Sequence, residues 1–135
     1  MIKFGELKEG DYVIVDFDGK TWRGQVTDLN HDEKQVCVET EVQDFWYEPA
    51  HVYPIPLNDE ELMRLNFTKE ELEDGSVKYK KGAFRLEIPE KNNFSHLDMW
   101  YREDIRHNPQ VHYVHELQNQ YLQMTKVPLT DEVMA

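Results

Sequence analysis

Six histidines are the residues best suited to chemistry in this chain, and His112 and His115 stand one helical turn apart with His107 and Glu116 nearby. Histidines at i and i+3 can share a metal ion. This pair, however, lacks the glutamate of an HExxH zinc motif, and spacing fixes no third ligand. His96, Asp98, Glu103 and Asp104 form a second polar group, read as a solvated loop. The expectation is structural histidines, no bound metal and no cofactor. The adjacent acid pairs Asp59/Glu60, Glu70/Glu71 and Glu103/Asp104 would point apart on a helix, whereas acid catalysis needs a pocket that raises one carboxyl pKa. The single cysteine, Cys37, shares a strand face with Glu39 and Glu41, whose negative field blunts a thiolate nucleophile. With no GxSxG, P-loop or GxGxxG present, no catalytic residue is expected.

The aromatic run Phe45-Trp46-Tyr47, flanked by Asp44 and Glu48, offers a different chemistry. On a strand, Phe45 and Tyr47 turn one way and Trp46 the other. A ring beside a carboxylate can grip a cationic or peptide ligand by cation–π attraction, so Asp44, Trp46 and Glu48 are the candidate protein-binding residues. The competing reading, favoured because tryptophan is seldom left uncovered, packs Trp46 between the front half of the chain and its terminal helix.

Strands must position these residues. Asp11 to Phe17 is apolar and β-branched and runs into Asp18-Gly19, a dipeptide typical of two-residue hairpin turns. A hairpin of strands 11–17 and 20–29 follows, with Val13, Val15 and Phe17 facing Trp22 and Val26. Val36, Val38 and Thr40 alternate with Cys37, Glu39 and Glu41 over 35–41, a strand wet on one side. Short strands at 44–48 and 53–56, separated by a turn at Pro49-Ala50-His51, complete five strands. Together they predict an SH3-like five-stranded β-barrel over 1–57.

A second module is expected over 58–127, packed on the barrel. Asn58 is a good N-cap with Glu61 three residues on, and Leu62, Leu65 and Phe67 give a short helix that 68–72 extends by a turn. A hairpin at 77–81 and 83–88 and a strand at 94–101 make a three-stranded sheet. Residues 103–110 read as a loop. Val114, Leu117, Tyr121, Leu122 and Met124 recur at helical spacing in a C-terminal helix from 111 to 125. Residues 128–135 read as a frayed tail. The fold class is therefore α+β.

Among the 135 residues, 27 acidic against 15 basic ones give a net charge of −12, and 16 aromatics supply a core that argues against disorder. Residues 1–57 carry 5 basic and 12 acidic residues and 58–135 carry 10 and 15, so both halves are negative. Such a surface repels phosphates, which disfavours direct nucleic-acid binding and anionic membranes. The opening MIKFGELKEG has no apolar signal core, no run approaches the roughly 20 apolar residues of a membrane span, and one cysteine suits a reducing compartment. A cytoplasmic protein is expected.

Three stretches invite comparison: Trp46-Tyr47-Glu48-Pro49 running into Tyr53-Pro54-Ile55-Pro56-Leu57, Glu61 to Phe67, and His112-Tyr113-Val114-His115-Glu116-Leu117-Gln118-Asn119-Gln120-Tyr121. With its PIPL and YVHxLQNxY motifs the chain resembles a family of small proteins, without assigned activity, carried by Bacteroidetes genomes and their phages and mobile elements. The resemblance covers most of the chain and implies no functional residue. The expected function is that of a non-enzymatic protein-interaction or accessory protein with a protein partner. The alternative is an acidic inhibitor that mimics nucleic acid before a basic host protein.

Overall fold

The first hairpin turns where the sequence places Asp18-Gly19, with φ of 54° and 75° at these two residues. Positive φ at both central positions defines the type I′ turn, whose twist matches that of the flanking strands. The computed structural model describes residues 2–131, which divide into two compact units. One runs to Ile55 and takes in Tyr113–His115; the other comprises Pro56–His112 and the chain from Glu116.

In the first unit the hairpin joins β1 (Tyr12–Phe17) to β2 (Lys20–Asn30), and β3 (Gln35–Thr40), β4 (Asp44–Tyr47) and β5 (Val52–Tyr53) follow. A 3-10 turn, Pro49–His51, sits between the last two. All pairings are antiparallel in the order β4-β3-β2-β1-β5. The five expected strands are present, but β4 and β5 are the two edges of the sheet and do not pair, so the expected closed barrel is not formed. Val13, Val15, Val26, Val36, Val38, Tyr47 and Val52 form the core with Ile2 and Leu7. Trp22 is partly buried against this core, and Phe17, on the same face of β1 by alternation, lies at the strand end and is exposed. Gly24 faces Val13 across the hairpin, and a Cβ there would stand 2.5 Å from Val38 Cγ1 and 2.7 Å from the Glu39 carbonyl oxygen. Only glycine permits that approach of β3 to β2.

A buried carboxylate closes this unit near its start. Asp11 accepts hydrogen bonds from the Lys8 amide and from Lys8 Nζ. Burial pushes its pKa up, and the Lys8 charge opposes that rise.

In the second unit, the Asn58 side chain caps α1 (Asp59–Arg64) by accepting from the Glu61 amide at 2.9 Å, as the sequence predicts. The helix does not continue into 68–72. Asn66 adopts φ 67°, its amide donates to Met63 O, and the Phe67 amide donates back to Leu62 O, which is the Schellman pattern of a helix end. The chain leaves as a strand, β6 (Thr68–Glu71). It opens a five-stranded antiparallel meander with β7 (Val77–Lys81), β8 (Phe84–Ile88), β9 (Asp98–Tyr101) and β10 (Asp104–His107), in the order β10-β9-β8-β7-β6. Three strands were expected. Both additions are edges: β6 in place of helix and β10 in place of the 103–110 loop.

Across this sheet Tyr79, Leu86 and Met99 stand in one buried row. The final helix, α2 (Val114–Thr125), begins three residues later than expected, after left-handed Asn108 and Gln110. Its Leu117, Tyr121 and Met124 are buried, and the Tyr121 ring meets Phe84 edge-on at 4.8 Å. The frayed tail is corrected for residues 128–131: Leu129 is buried, its carbonyl accepts from Gln118 Nε2, and Thr130 O and Asp131 O accept from Lys81 and Asn66. Residues 132–135 lie outside the described residues. No described helix is long and apolar enough to cross a membrane.

Candidate functional site

The histidine positions do not assemble a metal site. His112 precedes α2 rather than sharing its face with His115, and His115 is buried with Nε2 3.4 Å from Glu6 and Nδ1 without a hydrogen bond. His107 lies 3.5 Å from Asp98, while His96 lines a different shallow depression with Asp98 and Glu87. Among the described residues no group of three or more His, Cys, Asp or Glu side chains is placed to hold a metal ion.

The β4 aromatic run behaves otherwise. Asp44 to Tyr47 pairs with β3 so that Tyr47 faces Val36 and Phe45 faces Val38, while Trp46 faces Cys37 on the opposite side. Tyr47 is buried. Phe45 and Trp46 are 43% and 41% exposed, so the expected covering of the Trp46 ring does not occur. Phe17, from the end of β1, brings its ring 5.3 Å from Phe45, which in turn lies 5.5 Å from Tyr47. A continuous aromatic ledge results.

The ledge floors an open groove of about 800 Å³. On one side lie consecutive residues Phe45 to Glu48; on the other lie Asp16 to Thr21 and His51. The groove therefore runs between β4 and the turn that joins β1 to β2. A smaller depression of about 200 Å³ adjoins it, shares Phe17, Lys20 and Tyr47, and adds Trp22 and Val42.

One wall of the groove is held by a hydrogen-bonded trio. The register of β1 against β5 places Ile14 opposite Tyr53 and Val15 opposite Val52, which brings Asp16 to His51. His51 Nδ1 lies 2.7 Å from Asp16 Oδ1, and Tyr53 donates to Asp16 Oδ2 at 3.0 Å. A carboxylate only accepts, so Nδ1 carries the hydrogen. The His51 hydrogen bond, ahead of the Tyr53 one, holds the Asp16 carboxyl below its ordinary pKa, and the same contact raises that of Tyr53. Asp16 is thus a fixed, ionised group at neutral pH.

Of the three candidates from the sequence, Trp46 and Glu48 line the groove, and Asp44 lies just beyond it on the Trp46 face of the strand. Asp16, Phe17, Lys20 and His51 were missed. Their assembly depends on the pairing of β1 with β5 and on sheet curvature, which leave no local pattern in the sequence. Asp18, Asp44 and Glu48 have no side-chain hydrogen bond or ion pair among the described residues, so the groove presents carboxylates to solvent beside apolar rings. Such a surface can hold a cation or a peptide without any covalent step.

No family model, no curated protein and no solved structure matches the chain.

Proposed function

We propose that this chain is a non-enzymatic protein-interaction module that docks a protein partner in the groove between β4 and the Asp16–Thr21 turn. The observation that carries the reading is the exposure of Phe17, Phe45 and Trp46 together beside unpaired carboxylates. Large rings left in water are costly, and exposed apolar surface rimmed by charge marks an interaction surface. In this reading the first unit is an SH3-like barrel left open at its seam, and the chain is a cytoplasmic member of the Bacteroidetes mobile-element family that its PIPL and YVHxLQNxY motifs resemble.

Side-by-side affinity capture with wild-type and Trp46→Ser baits, from cells that carry the gene, tests the proposal. A protein retained by the wild type and lost by the variant, at equal thermal stability of the two baits, is the expected outcome. Equal capture by both would contradict it.

A second reading is favoured by the net charge of −12, namely that the chain mimics nucleic acid before a basic protein. Salt separates the two. A mimic releases its target at moderate ionic strength, since exposed charge pairs are screened within about 8–10 Å, whereas docking in the groove is weakened by salt and keeps the apolar contribution of the aromatic ledge.

A further inference from the structure

The groove meets β4 along its edge. Its lining takes consecutive residues Phe45 to Glu48, and side chains of consecutive strand residues point to opposite faces of a sheet. A depression that touches both faces along one strand lies beside that strand's backbone. Among the described residues β4 pairs with β3 alone, so the amide and carbonyl groups of its other edge have no strand partner. Exposed edges are templates for an added strand, and natural edges are usually blunted with lysine or proline. Here the edge run, Asp44-Phe45-Trp46-Tyr47, carries neither.

The two faces of the edge differ in chemistry. Asp44 and Trp46 share one face, and the backbone stays extended at Glu48 (φ −76°, ψ 150°), which carries the alternation to a second carboxylate. The opposite face shows Phe45 against Phe17. Among the described residues that line the groove, Lys20 is the one lysine or arginine against Asp16, Asp18 and Glu48. Residues 1–57 as a whole hold 5 basic and 12 acidic residues.

We propose that the groove takes an extended basic segment of the partner protein, added as a strand to the free edge of β4. Its lysine or arginine side chains lie over Trp46 toward Asp44 and Glu48, and its alternate apolar side chains lie on Phe17 and Phe45. The inference rests on the docking reading above and deepens it by naming the partner's chemistry and its mode of attachment.

The probe is a capped hexapeptide alternating lysine or arginine with valine, titrated into the full chain and followed by backbone amide NMR. Two N-methylated versions, each blocking alternate amides, distinguish strand pairing from side-chain contact alone. Shifts are expected at 44–48 and 17–20. One N-methylated version should lose about tenfold or more in affinity and the other much less, because only one set of amides faces β4. The double variant Asp44→Asn with Glu48→Gln should weaken binding and flatten its salt dependence. Equal binding of both N-methylated versions, equal binding of a glutamate–valine counterpart, or shifts confined to other residues would overturn the proposal. Concentration-dependent broadening at 44–48 without peptide would also overturn it, by assigning the edge to a second copy of the chain. If a partner lost with Trp46→Ser is not displaced by the peptide, strand addition fails while the docking reading stands.

Discussion

Asp16 shows how single contacts set the properties of the groove wall. Its carboxyl is held below the ordinary value by His51 first and Tyr53 second, so the folded chain binds fewer protons there than the unfolded one. Its stabilisation is therefore fully present above the unfolded carboxylate pKa of about 3.9 and is lost as pH falls through the lower, folded value. Asp59, held down by the Tyr79 hydroxyl and then by Lys69, acts in the same direction. Asp11, raised by burial, acts in the opposite one. In His51→Gln the Asp16 midpoint, read from its carboxyl carbon shift, is expected to move up toward the ordinary range; an unmoved midpoint would remove His51 as the cause. At Gly24 the effect is steric. Gly24→Ala should destabilise the chain by about 1–3 kcal/mol in denaturant melts, as overpacking does, because the new methyl meets Val38 and the Glu39 backbone.

At the scale of elements, what could be read in advance divides along chemical lines. The Asp18-Gly19 turn, the alternation of Val36 and Val38 with Cys37, the Asn58 cap and the Leu117/Tyr121 stripe each carry a local signal, and each element formed. Asn58→Ala should cost about 1 kcal/mol through the lost Glu61 hydrogen bond. A change in melting below measurement error would show that Asp59 and Glu60 support the helix start without it. The elements missed are the edges of the second sheet. Thr68–Glu71 has no apolar residue and Asp104–His107 has only Ile105, since edge strands are kept charged against unwanted pairing. Helix propensity in Lys69-Glu70-Glu71 then outweighed a strand pattern that was absent, and the turn at Arg102-Glu103, with φ 57° at Arg102, carries no glycine or asparagine to mark it. Within the candidate site, Trp46 and Glu48 were legible as an aromatic beside an acid. His51 and Asp16 were not, because 35 residues separate them and only the β1–β5 register brings them together.

At the scale of the whole molecule, two apolar surfaces compete as the partner-binding face: the stripe of α2 and the ledge at β4. Leu117 is fully buried, whereas Phe45 and Trp46 are open. Leu117→Ala should therefore cost about 2–5 kcal/mol and lower the melting temperature, while Trp46→Ser should leave melting nearly unchanged. The reverse pattern would exchange the roles of the two surfaces. The claim that the groove beside β4 is the docking site is tested most directly by hydrogen exchange on the full chain, alone and with its captured partner. The expected result is new protection at 44–48 and 16–21, with 114–125 unchanged; protection confined to 77–107 or 114–125 would contradict it.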